Sequence, residues 1–217
     1  MKAVRILLAD DHKVVRQGTR ALLSAVPEWE IVGEADNGRD AVSLTAELKP
    51  DIVILDISMP ELNGLDATRQ IKKKSPETEV LIFTGQETEE LVHDVFESGA
   101  RSYVMKTDAA DHLIDAIKAL SEHKHFFTSR ISEIVFARYI QKKGPLEGPP
   151  EKSRITDRER EIVQLLAEGK SSKEIATILG ISVRTVETHR ATIMKKLGLK
   201  SFSELIRYAV RNKIIEA

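Results

Sequence analysis

The 217-residue sequence contains no cysteine, a single tryptophan and few aromatic residues of any kind. Without cysteine the chain can form neither a disulfide framework nor a thiolate metal site, and it has no catalytic thiol. It has no apolar run near the ~18–20 residues that a membrane-spanning helix needs, and its first residues show no signal-peptide pattern. We therefore expect a cytoplasmic protein with no membrane partner. Because 41% of its residues are hydrophobic and 31% are charged, the chain can bury an ordinary core.

Charge is distributed unevenly along the chain. Residues 151–217 include 14 Lys or Arg and 9 Asp or Glu, a net charge of +5, which leaves −6 on residues 1–150. Between the two regions, the stretch Lys142–Pro150 holds two glycines and three prolines, which predicts a linker. An acidic front and a basic back indicate two domains, the second with a polyanion as its partner. The alternative is that the basic charges are merely solvated.

Apolar strands alternate with amphipathic helices over residues 4–123. Five such pairs predict a parallel sheet in the flavodoxin-like order 2-1-3-4-5. A further helix is expected over residues 128–141, and four more helices between Thr156 and Asn212, the first opened by a capping box of Thr156 and Glu159. The predicted fold class is thus α/β plus all-α. It combines a doubly wound five-stranded domain at 1–124, a helix-containing linker at 125–153 and a four-helix helix-turn-helix domain at 154–217.

Polar side chains follow the predicted strands at their carboxyl ends, where open α/β sheets bind ligands. Asp10 and Asp11 follow the first strand, and Asp56 follows the buried run Val53-Ile-Leu55. Three converging carboxylates need a cation, and hard oxygen ligands favour Mg²⁺. The structural alternatives are that Asp56 is a solvated turn aspartate and that Asp11 caps the next helix.

Two further strand ends supply a hydroxyl and an ammonium group. Thr84 ends the fourth strand and Lys106 follows the fifth. Together with the carboxylates they suit an aspartyl-phosphate, formed when a carboxylate attacks phosphorus and bound by Lys and Thr. Taken alone, Lys106 is more often a solvated surface lysine.

The second region contains a short helix, a turn at Gly180 and a longer helix, within Ser172–Leu197. This pattern is typical of a helix-turn-helix, whose second helix enters the major groove by its N-terminal part. Arg and Lys side chains there suit phosphates, while Glu187 is a candidate acceptor for a cytosine amine. The candidate DNA-contacting residues are Ser182, Arg184, Thr185, Glu187, Thr188, His189, Arg190 and Lys195.

These motifs resemble two families in tandem. Asp10-Asp11, Asp56 with Pro60 and Gly64, Thr84, Tyr103 and Lys106 resemble the receiver domain of bacterial response regulators. Thr185-Val-Glu-Thr-His-Arg190 and Leu197-Gly-Leu resemble the LuxR-type DNA-binding domain. The order of the two is that of NarL/FixJ-type response regulators.

The resemblance implies a role for each matching residue. Asp56 would be the phosphoacceptor, and Lys106 would hold the phosphoryl group. Asp11, Asp56 and the backbone carbonyl of Ser58 would bind Mg²⁺, with Asp10 acting nearby through water. Thr84 and Tyr103 would form the switch pair.

The resemblance also implies partners and a regulatory cycle. A sensor histidine kinase would phosphorylate the receiver, and the protein would then form a homodimer on paired half-sites of double-stranded DNA and act with RNA polymerase. Two alternatives stay open at this point. One is a constitutive DNA-binding protein with a vestigial receiver, and the other is a Mg²⁺-dependent phosphohydrolase. The second lacks support, because Ser58 stands where such enzymes need a second aspartate.

Overall fold

The computed structural model describes residues 3–86, 88–141 and 155–216. The chain divides into two compact units, Met1–Lys143 and Gly144–Ala217. The linker predicted at Lys142–Pro150 lies outside the described residues, as does Glu87, where the fourth helix was expected to begin.

The first unit is built on a five-stranded parallel sheet in the order β2-β1-β3-β4-β5, as the sequence predicts. Each strand is followed by a helix, in the alternation that the sequence predicts. The elements are β1 (Val4–Ala9), α1 (Lys13–Leu23), β2 (Trp29–Ala35), α2 (Gly38–Leu48), β3 (Ile52–Leu55), α3 (Gly64–Lys74), β4 (Glu79–Thr84), α4 (Glu89–Glu97), β5 (Ser102–Met105), α5 (Ala109–Ser121) and α6 (Ser129–Gln141).

The core of this unit has two layers, one on each face of the sheet. Leu7 and Val53 face the layer that α2, α3 and α4 cover, whereas Ile6 and Ile54 face the layer that α1 and α5 cover. This alternation follows from the two-residue period of a strand. Because both faces are covered, the inner strands are apolar throughout, and all four residues of β3 are buried.

The segment after α5 returns to the sheet before α6 begins. Phe126 forms a parallel bridge with Ser102 at the outer edge of β5, and Phe127 packs edge-to-face on Phe96 of α4 with ring centroids 4.8 Å apart. Ile131 of α6 is 2% exposed and joins the same core layer as the side chains of α4. The first turns of α6 therefore pack against α4 within the first unit. The sequence assigns these turns to a linker.

The second unit is a bundle of four helices around one apolar core. Thr156 and Glu159 form the predicted capping box of the first helix. Gly180 ends the second helix at φ 63°, a left-handed conformation that favours glycine and allows the sharp turn into the third. The helices are α7 (Asp157–Ala167), α8 (Ser172–Leu179), α9 (Val183–Leu197) and α10 (Phe202–Arg211).

None of the helices in the described parts of the chain is both long and apolar enough to cross a membrane.

Candidate functional site

The acidic cluster forms at the carboxyl edge of the sheet, as the topology requires. Asp10 and Asp56 are 5% and 3% exposed, and the Lys106 ammonium lies 2.8 Å from Oδ2 of each. Asp56 Oδ1 accepts a hydrogen bond of 2.8 Å from the backbone N–H of Ile57. Asp11 is more exposed, and it joins Asp10, Asp56 and His12 in a group whose potential ligand atoms all lie within 4.8 Å of one another.

Helix α1 does not begin on an aspartate. Its N-cap is His12, which makes no side-chain cap bond, so the alternative that Asp11 caps this helix is wrong. Asp10 Oδ1 instead accepts a 2.8 Å hydrogen bond from the backbone N–H of His12. This bond fixes the Asp10 carboxylate at the sheet edge and leaves Asp11 to reach the cluster from outside.

The cluster holds more negative than positive charge. Burial raises the pKa of Asp56 above its usual value, the Asp10 carboxylate raises it further, and the Lys106 ammonium opposes both. The Lys106 pKa also lies above its usual value, because hydrogen bonds to the two carboxylates outweigh the cost of burying its charge. Asp10 Oδ2 shares the Lys106 ammonium with Asp56, so two buried carboxylates face the same cation. An added cation would therefore be stabilised here.

Close packing behind Asp56 fixes the loop that carries it. A Cβ atom on Gly64, the first residue of α3, would lie 2.0 Å from the backbone oxygen of Asp56 and 2.8 Å from Cα of Ile57. Only glycine lets the helix approach the loop so closely. The Gly64 backbone N–H also donates a 2.8 Å hydrogen bond to the Ile57 carbonyl, so Gly64 positions the carboxylate from behind.

Thr84 at the end of β4 and Gln86 two residues later connect the cluster to the outer strand. Thr84 is buried, and its hydroxyl accepts a 3.4 Å hydrogen bond from the backbone N–H of Gln86. The Gln86 side chain donates to the Ser58 hydroxyl at 3.3 Å, and the Gln86 backbone carbonyl accepts a hydrogen bond from the Tyr103 hydroxyl. Tyr103 is fully buried. The ring of this predicted switch residue therefore already lies inside the protein.

Helix α9 of the second unit presents most of its polar candidates to solvent. Ser182 caps it, accepting a 3.1 Å hydrogen bond from the Thr185 backbone N–H. His189 and Arg190 are half-buried, and Arg190 lies over the Phe202 ring of α10, 6.0 Å from its centroid. The exposed candidates are Ser182, Arg184, Thr185, Glu187, Thr188 and Lys195.

Two polar contacts hold α9 in place against α7 and α8. The Glu187 carboxylate accepts a hydrogen bond from the Ser172 hydroxyl at the start of α8. Lys196 donates a 2.8 Å hydrogen bond to Glu159 of α7. Burial of Glu159 disfavours its charge, but the Lys196 and Thr156 hydrogen bonds lower its pKa below the usual value. The sequence marks Glu159 as a capping residue and gives no sign of its pairing with α9.

Family models match both units. The model for "Response regulator receiver domain" matches residues 6–118. The model for "Bacterial regulatory proteins, luxR family" matches residues 153–209. The chain is a response regulator of the LuxR family. Both predicted resemblances are thereby confirmed, and the family consists of transcription regulators rather than enzymes.

Similarity extends over the whole length of known response regulators. The chain is 37% identical to the transcriptional regulatory protein LiaR of Bacillus subtilis (strain 168) over 212 residues, which are 98% of this chain and 99% of LiaR. A crystal form of the Salmonella typhimurium RcsB response regulator aligns with a TM-score of 0.59 at 26% identity, covering 97% of this chain and 100% of RcsB. An RcsB–DNA complex aligns with a TM-score of 0.58 at 25% identity, covering 95% of this chain and 98% of RcsB.

Sequence reasoning overlooked one member of the response regulator's cluster. His12 follows Asp10 and Asp11 directly, and its imidazole Nδ1 lies 2.7 Å from Asp11 Oδ1. The signal was present, because an imidazole beside two candidate metal-binding carboxylates is itself a candidate ligand.

Proposed function

We propose that this response regulator accepts a phosphoryl group on Asp56 from a sensor histidine kinase, in a Mg²⁺-dependent reaction, and that the modification controls DNA binding by α9. An Asp56 carboxylate oxygen forms the new bond to phosphorus, while the bond from phosphorus to the donor's imidazole breaks. The single observation that carries the proposal is the pairing of buried Asp56 with Lys106 at 2.8 Å. A lysine in that position is ready to bind the phosphoryl oxygens when they arrive.

The donor set at the sheet edge fits Mg²⁺. The ion prefers a few carboxylates and keeps waters that phosphate oxygens can replace. Asp11, Asp56 and the backbone carbonyl of Ser58 would hold it, with Asp10 acting through water. The two buried carboxylates that share the Lys106 ammonium, and the raised pKa of Asp56, both support a cation here. When bound, Mg²⁺ neutralises charge on the transferring phosphoryl group.

The path to the output runs through the buried residues beside Asp56. Thr84 and Tyr103 act as the switch pair, and Gln86 contacts both. A phosphoryl group on Asp56 gives the Thr84 O–H an acceptor, and turning the hydroxyl towards it draws the oxygen away from the Gln86 backbone N–H, whose 3.4 Å hydrogen bond it accepts. The change then alters the surface formed by α4, β5 and α5, and a homodimer forms.

The second unit carries the output on DNA. In this proposal residues 1–124 act as the receiver, 125–153 as the linker and 154–217 as the DNA-binding domain, working in the cytoplasm with RNA polymerase. The exposed face of α9 enters the major groove, where Arg184 and Lys195 bind phosphates and fix the register. The complex of the related RcsB with DNA supports this assignment. The other predicted α9 contacts, from Ser182 to Arg190, are part of the same proposal.

The phosphoacceptor is tested by labelling with acetyl phosphate and Mg²⁺. Wild type and Asp56→Asn are compared by intact-mass spectrometry, with Asp51→Asn as the matched control. Asp51 precedes the same strand at its other end, where it accepts a hydrogen bond from Arg5. We expect label on the wild type and the control and none on Asp56→Asn. Equal labelling of all three would contradict the assignment, and no label on any would favour the vestigial receiver.

The output is tested by DNA binding of the labelled and unlabelled proteins. Duplexes are first selected from a random pool with labelled wild type, and affinities are then measured across a salt series. We expect tighter binding after labelling in the wild type but not in Asp56→Asn. Arg184→Ala should weaken binding to all selected duplexes and reduce the salt slope by about one. An affinity that labelling does not change would refute the control of DNA binding by Asp56.

A further inference from the structure

His12 lies against the acidic cluster in a way that the receiver resemblance does not account for. Its Nδ1 atom is 2.7 Å from Asp11 Oδ1 and 3.4 Å from Asp10 Oδ1. The imidazole is 63% exposed, so it is open to solvent and to an incoming ion. One nitrogen or oxygen atom from each of Asp10, Asp11, His12 and Asp56 falls within the same 4.8 Å group.

The 2.7 and 3.4 Å separations of His12 Nδ1 from Asp11 and Asp10 are close to those between neighbouring ligands of one metal ion. With metal–ligand bonds of about 2.0–2.2 Å, adjacent ligand atoms lie roughly 3 Å apart in an octahedron and roughly 3.5 Å apart in a tetrahedron. A hydrogen bond from His12 to Asp11 explains the shorter distance, and the bond from the His12 backbone N–H to Asp10 Oδ1 brings the ring near Asp10. The charge imbalance of the buried carboxylates favours an ion at this point over a neutral ring alone.

An imidazole changes which ions such a site prefers. Mg²⁺ is a hard ion that takes oxygen ligands, whereas imidazole suits borderline first-row ions such as Co²⁺ and Ni²⁺. We infer that His12 is an additional protein ligand of the acidic site and that it raises the affinity of the site for borderline divalent ions relative to Mg²⁺. The inference rests on the metal site in the proposed function and adds a nitrogen donor to it.

Calorimetric titration of the full chain with Ni²⁺ and, separately, with Mg²⁺ tests the inference. His12→Gln removes the imidazole and keeps an N–H that can donate to Asp11. We expect the variant to lose at least about tenfold in Ni²⁺ affinity, and less than about threefold in Mg²⁺ affinity. His93→Gln is the matched control, because His93 pairs with the single carboxylate of Glu97 at 3.0 Å, and it should bind both ions like the wild type.

Two further measurements assign the Ni²⁺ to this site. Excess Mg²⁺ should weaken Ni²⁺ binding in the wild type by competition. The absorption spectrum of bound Co²⁺ should differ between wild type and His12→Gln, because a nitrogen ligand has been lost.

Each other outcome overturns the inference. If His12→Gln loses Mg²⁺ and Ni²⁺ affinity equally, His12 only positions Asp11 and is not a ligand. If it loses neither, His12 is an ordinary surface histidine. If the wild type binds neither ion, the proposed metal site fails together with the inference. If acetyl phosphate labels Asp56 in the presence of Mg²⁺, as proposed, while wild type and His12→Gln bind Ni²⁺ equally well, only the role of His12 fails.

Discussion

Replacing Lys106 with methionine tests whether the cluster is held together by a single buried cation. The change keeps most of the aliphatic stem and removes only the ammonium, which lies 2.8 Å from both Asp56 and Asp10. The three side chains are 17%, 3% and 7% exposed, so solvent screens their charges poorly. In metal-free buffer the variant retains two buried carboxylates with no counter-charge from this lysine.

The expected loss of stability is large for a single substitution. Removing one partner of a buried ion pair costs about 3–5 kcal/mol, because the remaining charge stays buried without compensation. With urea slopes of ~1–3 kcal/mol per molar, that loss moves the unfolding midpoint by roughly 1–5 M. Saturating Mg²⁺ should recover part of it, because the ion replaces the missing charge, and binding at 100 times the dissociation constant contributes about 2.7 kcal/mol.

The stability difference between wild type and Lys106→Met should depend on pH in a definite direction. The pKa of Asp56 is already above its usual 3.8 in the folded protein, and it rises further once the ammonium that lowers it is gone. A carboxyl group whose pKa is raised by folding stabilises the fold below its unfolded pKa, and this stabilisation is lost as pH rises through the folded pKa. The difference between wild type and Lys106→Met should therefore shrink as pH falls from neutrality towards 3.8.

Trp29 provides the assay within the full-length chain. It is the sole tryptophan and lies in β2, partly buried against one core layer, so its fluorescence reports the unfolding of the receiver alone. Lys124→Met is the control, since the Lys124–Glu122 pair is exposed and its loss should leave the midpoint unchanged. A Lys106→Met midpoint equal to that of the wild type, or a loss that does not shrink between pH 7.5 and about pH 4, would refute the reasoning.

Three further substitutions probe the packing that positions the two sites. Gly64→Ala forces its Cβ to within 2.0 Å of the Asp56 backbone oxygen, so we expect a loss of about 1–3 kcal/mol and slower labelling of Asp56 by acetyl phosphate. Glu159→Gln removes the ionic partner of Lys196, and we expect circular-dichroism melting to show a loss of about 1–2 kcal/mol at neutral pH. Ile131→Ala leaves a cavity between α6 and α4, and the Trp29-monitored free energy of unfolding should fall by about 2–5 kcal/mol.

Each of the three has an internal check. Gly18→Ala alters another helical glycine, with nothing within 4 Å of the added Cβ, and should be neutral or stabilising. Folding lowers the pKa of Glu159 below its usual 4.5, so the Glu159→Gln loss should be full above pH 4.5 and vanish as pH falls through the folded pKa. Val135→Ala, at a 39% exposed position of α6, should change the free energy little. If Val135→Ala and Ile131→Ala cost the same, α6 does not pack as described.

The sequence predicts those elements whose pattern can be recognised within their own residues. Alternating helices and strands, the apolar run of β3 and the capping box at Thr156 can each be recognised without tertiary contacts, and the structure confirms them. The docking of α6 could not be predicted, because it depends on Ile131 and Phe127 meeting a complementary surface on α4. An amphipathic period shows that a helix has an apolar face, but it does not show which surface that face contacts.

In the candidate site, too, some features can be predicted from the sequence and others depend on tertiary packing. The convergence of Asp10, Asp56 and Lys106 follows from topology, because parallel strands bring their carboxyl ends to one edge. The inward position of Tyr103 and its bond to the Gln86 carbonyl depend on side-chain packing, which leaves no periodic trace in the sequence. The approach of His12 to two carboxylates depends on where helix α1 begins, and sequence patterns place helix ends only to within one or two residues.

Strand register links the core to the proposed chemistry. Ala9 pairs with Leu55, so the carboxylates of Asp10 and Asp56 leave neighbouring strands at the same height. Thr84 pairs with Met105, which brings the hydroxyl of Thr84 level with the residue before Lys106.

A slip of one residue in either pairing would turn the buried faces of the strand towards the wrong core layer. The same slip would move Asp56 or Lys106 by about 3.3 Å along the sheet edge and break the 2.8 Å contact between them. The hydrophobic pattern that buries β3 on both sides therefore also sets the spacing of the acidic cluster. For this reason the site can be assembled from four separate strand ends without any long-range sequence motif.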